Sequence, residues 1–149
     1  MTSTTIRQAI PSDIEVLVPL FDSYRQFYGR ESDIHGAREF LLARFRHRES
    51  TLFLAHADGA AIGFAQLYPS FSSASLAGTF ILNDLFVSES HRKTGVGRLL
   101  IAAAVEFAKS LGALRLTLAT AADNKPAQAL YRSFGWKRDE QFVVYHYTI

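Results

Sequence analysis

Apolar and polar residues alternate along the chain with two different periods. In the first third, apolar residues recur roughly every three to four positions, a spacing typical of amphipathic helices. This spacing predicts one helix over residues 12–29, opened by a capping box of Ser12 and Glu15, and a second helix over residues 33–47. Pro19 interrupts the first pattern and should kink or break that helix, because proline removes a backbone hydrogen bond.

The period then shortens to about two, which is typical of β-strands. Asp58 and Gly59 separate two such runs and indicate a hairpin turn, whereas residues 69–78 are rich in Ser, Ala and Gly and indicate a loop. Helical spacing returns at residues 97–111 and 124–134. Strands are predicted at residues 5–10, 51–57, 60–68, 79–87, 113–119, 136–138 and 141–147.

The order of these elements mixes hairpins with helical crossovers, which predicts an α+β fold (a mixed α/β arrangement) with a mixed central sheet. The sheet should contain about seven strands and be flanked by about four helices. The sequence shows no repeat, linker or low-complexity segment, so residues 1–149 should form a single domain.

Composition narrows the classes of function. The 149 residues carry a net charge of +2 with scattered basic side chains, so we expect no nucleic-acid partner. The absence of cysteine excludes disulfides, zinc–cysteine sites and thiol nucleophiles. Neither a signal-peptide pattern nor an apolar run near ~20 residues is visible, which favours a cytoplasmic protein without membrane contact. No metal is expected, since the histidines lack ligand spacing: His35, His47, His56, His91 and His146.

The most informative segment runs from Val87 to Leu100, where an apolar strand is followed by a polar loop, two glycines and an apolar helix. Backbone N–H groups at a helix start bind phosphates, and Gly95 and Gly97 allow close approach. The order fits neither a P-loop nor a dinucleotide fingerprint, which would need a third glycine at Leu100. Three basic residues suit a pyrophosphate: Arg92, Lys93 and Arg98. A plain surface turn with basic residues remains the alternative.

Two motifs occur in a fixed order along the second half of the chain. The first is Arg92-x-x-Gly95-x-Gly97, and the second is Asn124-x-x-Ala127-x-x-Leu130-Tyr131-x-x-x-Gly135-Trp136. Together they resemble the GNAT superfamily of N-acetyltransferases, whose signature is Gln/Arg-x-x-Gly-x-Gly/Ala and whose last helix carries the second pattern. Trp136 is a mild departure, since the family usually has Phe there. Residues 81–98 also look somewhat like the branch that acetylates polyamines and basic protein tails.

The resemblance implies a mostly antiparallel sheet and acetyl-CoA as the donor, with direct transfer of the acetyl group to a primary amine in a ternary complex. By similarity, the end of the fourth strand pairs with the pantetheine arm and the following loop binds the pyrophosphate. An Asn of the last helix would contact the cofactor, and a Tyr would be the general acid. The residues implied are Leu85, Phe86, Val87, Arg92, Lys93, Thr94, Gly95, Val96, Gly97, Arg98 and Asn124 for the cofactor, and Tyr131 for the acid.

The proton on the acceptor amine is the larger chemical obstacle. An alkyl amine of pKa ~10.4 loses its proton at pH 7 at a cost of ~4–5 kcal/mol, about twice the cost for a thiol leaving group of pKa ~8.5. A base is therefore expected, and Asp84 is the candidate, acting directly or through a water. Asn83 and Asp84 interrupt an apolar strand, although an edge strand or hydrogen-bonded core residues would give the same pattern.

The acceptor would be a small-molecule or peptide amine, held by aromatic and acidic side chains that suit a cation. The candidates are Tyr24, Tyr28 and Asp84, with Asp22, Phe27, Glu31, Asp33 and Tyr145 as further positions. A packed helix with a solvated polar face is an equal alternative. A non-catalytic acyl-CoA-binding module on the same fold and, more distantly, a nucleotide-binding protein also remain open. Alternation over residues 143–149 favours strand pairing between subunits and a homodimer.

Overall fold

The computed structural model describes residues 3–149, and the chain divides after Leu118 into two compact units. The first unit contains β1 (Thr4–Gln8), α1 (Ile14–Phe27), α2 (Ile34–His47), β2 (Thr51–Ala57), β3 (Ala60–Ser72), β4 (Ala77–Val87), α3 (Val96–Ser110) and β5 (Leu116–Thr117). Short 3₁₀ helices lie at Pro11–Asp13 and Glu89–His91. The second unit, Ala119–Ile149, contains α4 (Lys125–Ser133). No helix in residues 3–149 is long and apolar enough to cross a membrane. That the chain forms one domain stays a prediction.

The first unit is built on one sheet with the strand order β1-β2-β3-β4-β5. Neighbouring strands are antiparallel except β4 and β5, which are parallel. The mixed, mostly antiparallel α+β class is confirmed, but the described residues form five strands rather than about seven. The strands predicted at residues 136–138 and 141–147 do not form. The apolar residues from Phe142 to Tyr145 are exposed, and a strand needs a neighbour to pair its backbone groups.

β3 and β4 form a longer hairpin than the sequence pattern predicts. Most of residues 69–78, the predicted loop, belong to these two strands, and only residues 73–76 form the turn. Pairing continues out to Ser72 opposite Ala77. The hydrogen bonds between the two strands therefore keep these small and polar residues extended in spite of their weak β-propensity. The strand predicted at residues 113–119 is shorter, at Leu116–Thr117.

α1 is one continuous helix although Pro19 lies inside it. The expected break does not occur, because Pro19 is exposed while the neighbouring Leu20 is buried, and packing of the apolar face outweighs one missing hydrogen bond. The predicted capping box is also wrong, since Ser12 lies in the 3₁₀ turn before the helix. In that turn the Asp13 carboxylate accepts a hydrogen bond from the Ile10 N–H at 2.7 Å.

Different helices cover the two faces of the sheet. α1 and α2 cover one face, where Leu17 and Phe64 are fully buried in the main apolar cluster. α3 covers the other face, where the Phe107 ring centroid lies 5.7 Å from that of Phe53 and 5.4 Å from that of Phe80. Burial of each such side chain contributes roughly 1.5–3 kcal/mol. The sheet is thus fixed between two helical layers, and the C-terminal end of β4 is the part that carries the candidate site.

Candidate active site

A β-bulge at Asn83 decides where the last residues of β4 point. The residues on either side of Asn83 pair with consecutive residues of β3, so Asn83 is an extra residue in the ladder. Before the bulge Phe80 packs against α3, whereas after it Phe86 packs against α1. In a regular strand both would face the same side of the sheet, because side chains alternate. The bulge therefore turns Asp84 and Phe86 toward α1.

Asp84 is buried on this α1-facing side, with 3% of its surface exposed. Its carboxylate accepts hydrogen bonds from Gln66 Nε2 at 2.5 Å and from Asn83 Nδ2 at 2.8 Å, and Tyr24 is a third hydrogen-bonding neighbour. Burial raises the pKa of Asp84, and the three donors oppose that shift only in part. A carboxyl group with a raised pKa is a stronger base than an exposed aspartate, which suits proton abstraction near neutral pH.

Aromatic rings lie beside this carboxylate. The Tyr24 ring centroid lies 5.8 Å from that of Phe64, 6.3 Å from that of Phe86 and 5.0 Å from that of Tyr28. Burial and the neighbouring Asp84 raise the pKa of Tyr24, so its phenol stays neutral at ordinary pH. Tyr28 is 63% exposed. The predicted acceptor residues Tyr24, Tyr28 and Asp84 therefore lie together, with the Tyr28 ring exposed and the Asp84 carboxylate buried.

Two of the further acceptor candidates, Asp22 and Asp33, make hydrogen bonds that stabilise the fold instead. The buried Asp22 carboxylate accepts hydrogen bonds from Ser32 Oγ at 2.7 Å and from the Asp33 N–H at 2.8 Å, which holds the loop between α1 and α2. Asp33 caps α2 by accepting the Gly36 N–H at 2.8 Å. Within residues 3–149, no three side chains of metal-ligating type come together.

The β5 side of β4 is open near the same end. The β4–β5 ladder consists of Phe80 opposite Leu116 and Ile81 opposite Thr117, while β4 itself runs on to Val87. On the other side β4 stays paired with β3 as far as Gly63 opposite Val87. One edge of the segment formed by Leu85, Phe86 and Val87 thus lacks a strand neighbour in the described sheet, as the family resemblance implies for a pantetheine-binding strand.

The turn between β4 and α3 is exposed from Arg92 to Gly95. Lys93 and Gly95 have φ values of 62° and 88°, and the Thr94 hydroxyl donates a hydrogen bond to the His91 carbonyl. α3 begins at Val96, and its first turn also contains Gly97 and Arg98. The N–H groups of Val96 and Gly97 lie too early in the helix to bond to a carbonyl four residues back within it. Such a helix start attracts a phosphate group.

Gly97 is not required by the packing of the protein itself. A Cβ built at Gly97 would lie 4.0 Å from Val87 Cγ2, an ordinary contact, and its φ is outside the left-handed region. At Gly63, in contrast, a Cβ would lie 2.7 Å from the Phe86 carbonyl oxygen. The fold therefore needs glycine at 63 but not at 97. A glycine that the packing does not require leaves the backbone accessible to a bulky anion such as the pyrophosphate of coenzyme A.

Arg92 has a role that the motif did not reveal. Its Nε donates to the Val87 carbonyl at 2.9 Å, and its guanidinium lies 5.2 Å from the Phe27 ring centroid and 5.4 Å from that of Phe86. It therefore fixes the end of β4 against α1. A cavity of about 490 Å³ beside it is lined by Leu20, Ser23, Gln26, Phe27, Phe86, Ser88, Glu89 and Arg92.

The remaining predicted residues belong to the second unit. Asn124 is the N-cap of α4, where its side-chain oxygen accepts the Ala127 N–H at 3.2 Å. The Tyr131 ring centroid lies 6.0 Å from that of Trp136, and the Tyr131 carbonyl accepts the Trp136 N–H at 3.1 Å. The motif therefore has a structural function within α4, and the cofactor and acid roles of Asn124 and Tyr131 stay predictions.

The sequence pattern of the acetyltransferase (GNAT) family matches residues 17–136, a span that includes β4, the glycine turn and α4. The chain belongs to this family. It is 46% identical over 140 residues to an uncharacterized N-acetyltransferase of Bacillus subtilis (strain 168), YhfO, with 94% of each chain covered. A crystal structure of a probable acetyltransferase matches with a TM-score of 0.93 and 41% identity, covering 97% of each chain.

A more distant structure shares the fold. An aminoglycoside N-acetyltransferase in complex with CoA has a TM-score of 0.81 and 23% identity, covering 100% of this chain and 97% of that one. GNAT enzymes depend on acetyl-CoA, so this GNAT protein is an acetyl-CoA-dependent N-acetyltransferase. Neither the family match nor these relatives single out the polyamine branch.

Proposed function

We propose that this enzyme transfers the acetyl group of acetyl-CoA to the primary amine of a small molecule or peptide by direct attack, with Asp84 as the base. The observation that carries the proposal is the buried, bulge-oriented Asp84 on the same strand whose open edge leads to the glycine turn. Bound acetyl-CoA supplies the acetyl group as an activated thioester. The first turn of α3 would hold the pyrophosphate, and the open edge of β4 would pair with the pantetheine arm.

The amine would approach Asp84 past Tyr24 and Tyr28, whose rings favour a cation. The proton leaves the amine nitrogen for the Asp84 carboxylate, which frees the lone pair that forms the new N–C bond as the C–S bond breaks. A positioned base contributes roughly 10²–10⁴-fold. Tyr131 as the acid that protonates the departing sulfur rests on the family resemblance alone.

The acceptor is best sought among polycationic amines, since aromatic rings lie beside a carboxylate at the proposed site. Polyamines and basic peptides are candidates because residues 81–98 resemble the branch that acetylates them. An aminoglycoside is a candidate because a structural neighbour is an aminoglycoside N-acetyltransferase. A cytoplasmic homodimer remains our working expectation.

The first experiment is thermal unfolding of the protein with acetyl-CoA, ATP or NAD. A ligand at 100 times its dissociation constant stabilises by ~2.7 kcal/mol, enough to shift the midpoint by several degrees. A shift with acetyl-CoA alone supports the assignment and leads to a screen of thiol release with spermidine, a basic peptide and an aminoglycoside. No shift at millimolar acetyl-CoA contradicts it. A shift without turnover on any amine would favour a non-catalytic acyl-CoA-binding module.

A further inference from the structure

Gln66 is a polar residue at a place where the fold does not call for one. It lies in the middle of β3, is fully buried, and has the buried apolar residues Ala65 and Leu67 as chain neighbours. Burying an amide is unfavourable unless its polar atoms find hydrogen-bond partners. An apolar side chain of the same length would fill this position without that penalty.

The Gln66 amide makes one side-chain hydrogen bond: Nε2 donates to Asp84 Oδ2 at 2.5 Å, while Oε1 is buried and has no partner among the described residues. The amide is therefore oriented by a single group, the carboxylate of Asp84. A residue that served only the stability of the sheet would satisfy both of its polar atoms. The side chain thus has a reason to be polar only in relation to Asp84.

On the basis of the function proposed for Asp84, we propose that Gln66 is a positioning residue for the base, which fixes the carboxylate in its α1-facing orientation and holds it ready to accept a proton. The two residues are register partners on paired strands, so the backbone ladder sets their separation. Asn83, which also donates to the carboxylate, at 2.8 Å, is the exposed residue of the bulge and is less constrained. Gln66 is therefore the rigid support of the carboxylate.

Among the described residues, none of the other side chains that face Asp84 is charged near neutral pH. Tyr24 faces it from α1, with Tyr28 beside Tyr24, and Tyr68 faces it from β3, with Arg44 of α2 acting on Tyr68. Burial raises the pKa of both Tyr24 and Tyr68, so neither ring is charged near neutral pH. The Gln66 hydrogen bond is the largest influence that opposes burial at Asp84, and its loss should raise the pKa of Asp84 further.

The test compares Gln66→Met, which keeps the length and removes the amide, with Gln66→Glu, which places a second carboxyl group at the site. The ¹³C chemical shift of the Asp84 carboxyl carbon, assigned by its loss in Asp84→Asn, is followed against pH in the ligand-free protein. We expect the titration to move up by about one pH unit in Gln66→Met. In Gln66→Glu it should split into two coupled steps, the upper one above the wild-type titration, since adjacent carboxylates resist joint ionisation.

Activity gives the second readout. With one amine as acceptor, the ratio of variant to wild-type kcat/KM cancels the titration of that amine. The ratio for Gln66→Met should stay within a few-fold at high pH and fall about tenfold below the Asp84 titration. In an Asp84→Asn background the same substitution should have no further effect on the pH profile.

The outcomes separate the two proposals. An unchanged Asp84 titration in both Gln66 variants, or an equal activity loss with and without Asp84, overturns the role of Gln66. Full activity of Asp84→Asn instead removes Asp84 as the base, while the carboxyl titration still reports whether Gln66 holds it. If Gln66→Met does not fold, the isosteric Gln66→Glu decides on the same titration.

Discussion

Two buried aspartates show how different partners give one residue type opposite properties. The Asp13 carboxylate takes two hydrogen bonds from Arg7, at 2.6 and 2.8 Å, and this cation lowers the pKa of Asp13 to about 2. Asp84 has only neutral donors, so burial dominates and raises its pKa. Asp13 is thereby fixed as an anion that supports the fold, whereas Asp84 is able to take up a proton.

Replacing Asp84 with Asn should lower kcat/KM by about 10²–10⁴-fold, since the amine then loses its base. In the wild type, activity should fall as the pH drops through the raised pKa of Asp84, and this limb should vanish in the variant. Steady-state rates from pH 5 to 9 measure both effects. Asp13→Asn is the matched control and should keep the limb; its loss there too would mean that the limb reflects unfolding.

Tyr131→Phe addresses the acid role implied by the family motif. Removal of the phenol should reduce kcat several-fold or more, because the sulfur must then leave unprotonated, while the acetyl-CoA dissociation constant changes little. Calorimetry for binding and thiol release for turnover separate the two quantities. Unchanged kcat would show that the thiolate leaves without help, as its pKa near ~8.5 permits.

At the scale of elements, the sequence predicts a feature well when neighbouring residues in the chain determine it, and poorly when pairing with a distant strand does. Gly95 and Gly97 predict the turn before α3, because the backbone conformation of a turn depends on the residues within it. The turn is present as expected. The polar pair at Asn83 and Asp84 was visible too, but the bulge arises from pairing with β3 and cannot be read from β4 alone. Gln66 is visible in the sequence as a lone amide in an apolar run. Its role can be inferred only from the strand pairing that places it opposite Asp84.

The two glycines of the turn should respond differently to the same substitution. Gly97→Ala should leave stability unchanged or raise it by up to about 1 kcal/mol, since the added methyl meets no close atom and alanine favours the helix. Acetyl-CoA binding should weaken about tenfold or more if the backbone there lies against the pyrophosphate. Melting curves and calorimetry test both. Tight binding by Gly97→Ala would place the pyrophosphate elsewhere.

Gly95→Ala is the companion variant. Its φ of 88° strains any residue with a side chain, so it should lose roughly 1–2 kcal/mol of stability even without ligand. If Gly95→Ala were as stable as the wild type, the turn would not have the conformation described. The Gly97→Ala result could then not be interpreted from this turn.

At the scale of the whole molecule, the two aspartates should give the stability opposite dependences on pH. Asp13 has a folded pKa below its unfolded value of 3.8, so its contribution is present above about pH 4 and is lost as the pH falls toward 2. Asp84 has a folded pKa above its unfolded value. Its folded state holds the proton more tightly, and stability is lost as the pH rises through the raised pKa.

Two variants separate these contributions in urea unfolding measured from pH 3 to 8. Asp13→Asn should be less stable than the wild type at pH 7 by about 1 kcal/mol, a modest value because Arg7 is half exposed, and this deficit should shrink toward pH 3. The stability of Asp84→Asn relative to the wild type should instead increase as the pH rises above 4 and level off above the raised pKa. If the difference in stability between Asp84→Asn and the wild type did not change with pH, the Asp84 carboxyl would titrate alike in the folded and unfolded chain. The structural argument for a basic carboxylate at Asp84 would then fail.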